Sequence, residues 1–260
     1  MRILSDMRAA FALLTVVPGS RDADVPTSGM TPWFPWVGAV LGIVTVAPLF
    51  VLHEETASGA GSVVTRGALT LAVALLLAQG LLTRLLHIDG LADVADGFWG
   101  GADVRRRLDI MADSATGAFG TAAVVFAVVA MAVSLGAVLE SGERIWLLAI
   151  VPLLGRCAAM FGAWFGRPAR PGGLGARVIG PPNAAGVFIA LIALAGAGVL
   201  SFSIAGREGA LWFAACTFAA LSIPHLTSER FGGVTGDVLG SSVVLTEVAA
   251  LVLLAMWSVW

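Results

Sequence analysis

Apolar positions in this chain fall in long unbroken runs, not at the spaced intervals of a soluble core. Runs near 33–52, 67–86, 118–139, 145–165, 184–205, 209–224 and 241–260 approach the ~20 residues an α-helix needs to cross ~30 Å of hydrocarbon. The pattern predicts about seven spans, the sixth short and ending in Pro224 and His225. Ahead of the first run, Ile3, Leu4, Met7, Phe11 and Leu14 recur at helical spacing opposite Arg2, Ser5 and Asp6. That pattern predicts an amphipathic helix in the membrane interface. Arg2 and Arg8 before an apolar stretch look like the start of a signal peptide, but no small-x-small cleavage site precedes Pro18, so the segment is expected to be retained. The expected fold class is all-α, a polytopic transmembrane helical bundle forming a single unit over 1–260.

Composition agrees with that reading. Charged residues make up 12% of the chain, hydrophobic ones 58%, and mean hydropathy is +0.93, whereas a soluble domain carries about a quarter charged residues. The net charge of −2 leaves no basic footprint, so no nucleic-acid partner is expected. Cys157 and Cys216 stand alone in apolar runs, without the paired spacing of a zinc or redox site, and are expected to be packing residues.

The arginines carry the topology, because cytoplasmic loops hold the excess of positive charge. With the N-terminus inside, Arg2, Arg8, Arg21, Arg84, Arg105, Arg106, Arg107, Arg167, Arg170, Arg177 and Arg230 fall on the cytoplasmic side. Only Arg66, Arg144 and Arg207 fall outside. The 84–117, 166–183 and 225–240 segments are therefore expected together in the cytoplasm, with the protein in a bacterial inner membrane.

The candidate chemistry lies in HIDGLADVADGFWGG, where Asp89, Asp93 and Asp96 are spaced four and three apart. On a helix they fall within about 60° of one another. Three carboxylates on one face repel unless a cation sits among them, and a hard divalent ion such as Mg²⁺ suits oxygen ligands. Leu91, Ala92, Val94 and Ala95 make the opposite face apolar. Downstream, IMADSATGAFG offers Asp113 as a further ligand, with Ser114, Gly117 and Gly120 permitting close backbone approach. Arg105, Arg106 and Arg107 form a run suited either to phosphate or to membrane anchoring. GGVTGDVLG presents Asp237 in a glycine-rich turn, and Glu247 lies two helical turns into the last run. A carboxylate at that depth needs a partner, and Arg156 inside the fourth run is the natural one.

These motifs carry a resemblance. HIDGLADVADG at 87–97, IMADSATGAFG at 110–120 and GGVTGDVLG at 232–240, with weaker echoes in FPWVG at 34–38 and GLG at 173–175, resemble those of cobalamin synthase, the adenosylcobinamide-GDP ribazoletransferase family of vitamin B12 assembly. The resemblance implies a Mg²⁺-dependent transfer between two small-molecule substrates. In it, α-ribazole or its 5′-phosphate displaces GMP from adenosylcobinamide-GDP. It further implies Asp89, Asp93, Asp96, Asp113 and Asp237 as metal ligands. His87, Asp93 and Asp96 become catalytic candidates, and Arg105, Arg106, Arg107, Ser114, Gly117, Thr235 and Gly236 substrate contacts. Where the family tends to carry another acidic residue ahead of Glu247, this chain reads SSVVLTE. Breaking a pyrophosphate suits such residues, since a metal spreads charge off the bridging oxygens and a base must take the attacking hydroxyl's proton.

Two other readings use the same acids. A CDP-alcohol phosphotransferase also binds metal through aspartates on membrane helices, but the alanine–arginine pair of its pattern is missing after Asp89 and Gly90. A divalent-cation transporter would want its aspartates inside the spans, whereas here they lie beside them. The number of subunits, and so a homo-oligomer, is left open.

Overall fold

A computed structural model describes residues 2–18, 27–54, 67–142, 144–171 and 173–259. Arg21, Arg66 and Trp260, used in the sequence reading, lie outside the described residues. In chain order the helices are α1 (Arg2–Leu14), α2 (Phe34–Glu54), α3 (Ala68–Leu82), α4 (Leu86–Gly100), α5 (Val104–Ile110), α6 (Ala118–Ser141), α7 (Val151–Phe165), α8 (Gly173–Val178), α9 (Ala184–Glu229) and α10 (Gly236–Val259). The chain is the expected all-α membrane bundle.

Thr31–Leu49, Ala118–Ser141, Ile145–Phe165, Ala184–Glu229 and Gly236–Ser258 are long and apolar enough to cross a bilayer. At 46 residues α9 is more than one span. Ala205 leaves helical geometry at φ −135°, and Gly206 turns to φ +56°, a left-handed value that glycine adopts without steric cost. Beyond it the chain doubles back, since a Cβ on Gly198 would lie 3.2 Å from the Phe213 ring. Fifteen residues of continuous helix would hold those positions ~22 Å apart. The two arms, 184–204 and 207–229, match the fifth and sixth apolar runs of the sequence.

The second run, expected over 67–86, is cut short. α3 ends at Leu82, and α4 leaves it at 91°. Arg84 and Leu85 make the corner at φ 57° and 55°, a conformation that costs a side-chain-bearing residue strain. Tertiary bonds hold it there. Leu85 N–H donates to Gly80 O at 2.8 Å, and the Arg84 guanidinium donates to Ala12 O at 3.0 Å and Leu13 O at 2.9 Å. Those are end-of-helix carbonyls of α1, which have no intrahelical partner. Because α4 crosses the axis of α3 and carries three aspartates, we place it outside the spans, along one end of the bundle.

α7 is the central helix, buried from Val151 to Met160. α2 packs on it through Gly38 and on the 3-10 turn just before it through Gly42, where a Cβ would lie 2.4 Å from Pro152 O and 1.8 Å from Ala149 O. This small-xxx-small pair lets two backbones touch and accounts for the FPWVG motif. The outer faces of α6 and α9 expose Phe126, Val129, Phe188, Phe202 and Phe218, a surface matched to lipid rather than water. α1 forms as expected, burying Ala9, Ala10 and Leu14 while Ile3 and Leu4 stay exposed, as a helix resting on a bilayer requires. Cys157 and Cys216 are buried free thiols.

Candidate functional site

At one end of the bundle α4 crosses the start of α10 with almost no side chain between them. A Cβ on Gly90 would stand 2.9 Å from the backbone oxygen of Asp237. Asp89 and Asp93, one residue before and three after Gly90, are thereby held beside Asp237. Leu91, Ala92, Val94 and Ala95 are buried against the bundle, as the sequence pattern requires. Asp89 is exposed and Asp93 half-buried. The Asp93 carboxyl is pushed up from 3.8 to about 6, first by burial and then by the charges of Asp237, Asp89 and Asp96. Four carboxylates thus share one field.

Asp96 has a distinct position. It is 8% exposed, and its two oxygens accept the N–H groups of Gly117 at 2.7 Å and Gly120 at 2.8 Å, capping α6 from another helix. A carboxylate there satisfies orphan donors and complements the helix dipole. Cβ atoms at Gly117 and Gly120 would lie 2.5 Å and 2.3 Å from its oxygens, which explains both glycines of that motif. Asp113 stands apart. It is exposed, accepts the N–H of Ala115 at 3.1 Å, and is absent from the charges that act on Asp93. Ser114 beside it is also exposed.

Between α1, α4, α8 and the 234–243 segment lies a cavity of about 230 Å³. His87, Asp89, Arg170, Thr235, Gly236 and Asp237 are the polar part of its wall, and Leu13, Leu14 and Phe34 belong to the apolar part. Thr235 caps α10, its hydroxyl accepting the Val238 N–H at 3.1 Å and donating to Asp237 Oδ2 at 3.4 Å. His87 is buried, and among the described residues neither of its ring nitrogens has a hydrogen-bond partner. Asp93 is not part of the cavity wall.

The predicted arginine run sits elsewhere. Arg105 and Arg106 are exposed on α5. Arg107 donates to Gly101 O at 3.0 Å and to Arg230 O at 2.8 Å, and its guanidinium lies over Phe98, which ties α5 to the 230 turn. Arg170 is the guanidinium on the cavity wall. It was counted in the sequence only for topology, because an arginine in a glycine-rich loop has no local pattern pointing to a site. Deeper in the bundle Arg156 and Glu247 form the expected buried ion pair between α7 and α10.

Among the described residues no three acidic, histidine or cysteine side chains stand close enough to share one ion. The arrangement fits a cation that takes one or two carboxylates and completes its shell with phosphate oxygens and water, the habit of Mg²⁺. The three segments expected on one face of the membrane do converge. Ala169 N–H donates to Val234 O at 3.0 Å, Val234 N–H to Arg167 O at 2.7 Å, and Arg107 joins 84–117 to 225–240.

An apolar bundle that gathers carboxylates, a guanidinium and glycine-rich backbone around a cavity defines an integral membrane protein with a polar site. Comparison with known proteins places it among transferases. The cobalamin-5-phosphate synthase family description matches residues 6–255, and the chain belongs to that family. A Frankia casuarinae protein named adenosylcobinamide-GDP ribazoletransferase is 34% identical over 98% of this chain and 95% of its own length. Proteins of the same name from Syntrophobacter fumaroxidans and Chlorobium phaeovibrioides are 38% and 36% identical, covering 84% and 94% of this chain and 83% and 94% of their own. No solved structure matches the chain.

Proposed function

We propose that this protein joins adenosylcobinamide-GDP to α-ribazole, or to its 5′-phosphate, releasing GMP and yielding adenosylcobalamin or its 5′-phosphate. The observation that carries the reading is the convergence of Asp89, Asp93, Asp237 and Arg170 at one end of an otherwise apolar bundle, in a chain whose relatives bear that name. One or two of Asp89, Asp93 and Asp237 would hold Mg²⁺, which would supply positive charge to the diphosphate. Asp96 fixes the start of α6 relative to α4 and so orients Asp93, one turn away. The proton of the attacking ribose hydroxyl passes to His87 or to a neighbouring aspartate. Asp113 and Ser114 are exposed and outside the cavity wall, so they would meet substrate only from outside it.

The positive-inside bias supports a site facing the cytoplasm from the inner membrane, since Arg84, Arg105, Arg106, Arg107, Arg167, Arg170, Arg177 and Arg230 all belong to the three converging segments. The test is GMP release from adenosylcobinamide-GDP and α-ribazole by protein in lipid nanodiscs, with and without Mg²⁺, alongside metal uptake by proteoliposomes. Metal-dependent GMP release without uptake is expected. Uptake without GMP release would replace this reading with a transporter.

A further inference from the structure

We infer that Arg170 holds the diphosphate of the nucleotide-activated substrate, beside the carboxylates of the cavity wall. The inference rests on the reaction proposed above and adds a substrate contact that the arginine run at 105–107 was expected to make.

The placement of Arg170 follows from backbone geometry. After α7 the chain runs alongside the turn before α10 in a two-residue bridge at Pro168 and Val234, closed by the hydrogen bonds of Ala169 and Arg167 to Val234. Gly233 makes the approach possible. Its φ is +154°, and a Cβ would lie 2.6 Å from Arg167 O and 2.8 Å from Ala169 N. Two residues beyond the bridge, Arg170 therefore sits next to Thr235–Asp237, which lie about 65 positions away in sequence. A second clamp follows at Gly175, where a Cβ would stand 2.4 Å from Gly236 N. With the loop pinned on both sides, Arg170 is held at the cavity wall.

Its chemistry suits the position. Arg170 is exposed, and among the described residues no ion pair or hydrogen bond engages its side chain, whereas Arg107 and Arg84 spend theirs on backbone carbonyls. Its charge reaches the Asp237 carboxylate without a salt bridge to it. A guanidinium beside carboxylates, but not paired with them, can bind an anion whose other oxygens meet a cation held by those carboxylates. The planar fork matches phosphate bidentately. Size narrows the ligand further. At about 230 Å³ the cavity falls below the ~300–1,000 Å³ of pockets that enclose drug-sized ligands, so it accepts a diphosphate and not the corrinoid.

The test uses the full chain in lipid nanodiscs with Mg²⁺ and GDP as the probe. Calorimetric Kd is measured for the wild type, Arg170→Ala, Arg170→Lys and the control Arg207→Ala. Loss of a charge-assisted bidentate contact should weaken GDP binding in Arg170→Ala by about tenfold or more. Arg170→Lys should recover part of this, and Arg207→Ala should match the wild type. In turnover, KM for adenosylcobinamide-GDP should rise in Arg170→Ala while KM for α-ribazole stays put, a split that a merely structural role would not produce. Ligand-free melting should be unchanged, since the side chain holds nothing together. Wild-type GDP affinity in Arg170→Ala, or an equal rise in both KM values, overturns the inference. Absence of turnover in the wild type would instead sink the reaction itself, with GDP binding still deciding the role of Arg170.

Discussion

The carboxylate of Asp96 on α4 accepts the N–H of Gly120 at 2.8 Å while its other oxygen takes that of Gly117 at 2.7 Å, so one acidic side chain joins two sequence motifs 21 and 24 residues apart. Asp96 and Asp93 are therefore expected to respond differently to mutation. Asp96→Ala leaves two helix-terminal donors unsatisfied and should cost about 2 kcal/mol or more, seen as a lower melting temperature. Asp93→Asn removes a repelling charge and should melt at or above the wild type while GMP release is lost. Equal melting temperatures for the two variants would contradict the assignment.

Asp93 also sets a pH dependence. Its folded value of about 6 lies above the ordinary 3.8, so the stability it contributes is fully present below about pH 3.8 and is lost as pH rises through 6. A bound cation would offset the charge that appears over that window. The melting temperature of metal-free protein should fall between pH 4 and 7, and the rise produced by Mg²⁺ should widen over the same range. In Asp93→Asn both slopes should flatten. A Mg²⁺ effect of the same size at every pH would argue against a carboxylate site here.

Arg156 and Glu247 test the bundle rather than the site. Removing one partner strands a charge in the apolar interior, where Arg156 is 1% exposed. Arg156→Met or Glu247→Leu alone should destabilise by about 3–5 kcal/mol, whereas the double variant should recover most of it. Melting in detergent decides this, and activity in the stable double variant would show that the pair is structural.

Topology is open to labelling. Single cysteines at Ser114, Arg177 and Gly232, all exposed, should react from one side of the membrane, with Arg207→Cys reacting from the other. Reaction of Ser114→Cys and Gly232→Cys from opposite sides would break the convergence of segments on which the site depends.

Much of this was legible because membrane helices announce themselves by length alone, and even the hairpin at Gly206 appeared as two runs. The corner at Arg84 and Leu85 was not legible. Left-handed non-glycine residues leave no local signal, being held by α1 carbonyls more than seventy positions away in sequence. The aspartate cluster was legible from spacing, and the Arg156–Glu247 pair from the cost of burying either charge. Asp96 as a cap and Arg170 on the cavity wall were not, since each depends on one backbone meeting another distant in sequence.

Another such meeting gives the most direct test of the site. At Gly90 the α4 backbone lies against α10, and an added Cβ would sit 2.9 Å from Asp237 O and 3.1 Å from its Cα. Backbone atoms cannot swing aside as a flexible side chain can, so Gly90→Ala must push α4 and α10 apart. Asp89 and Asp93 ride on one helix and Asp237 on the other, and the displacement would open the gap between them. Helix propensity acts in the opposite direction, as alanine is favoured over glycine by about 1 kcal/mol in a helix interior. Gly90→Ala should therefore lose Mg²⁺-dependent GMP release out of proportion to its loss of stability. Gly196→Ala, where nothing lies within 4 Å, is the matched control and should keep activity with equal or higher stability. Wild-type Mg²⁺ dependence in Gly90→Ala would mean that the α4–α10 crossing does not set the separation of the carboxylates.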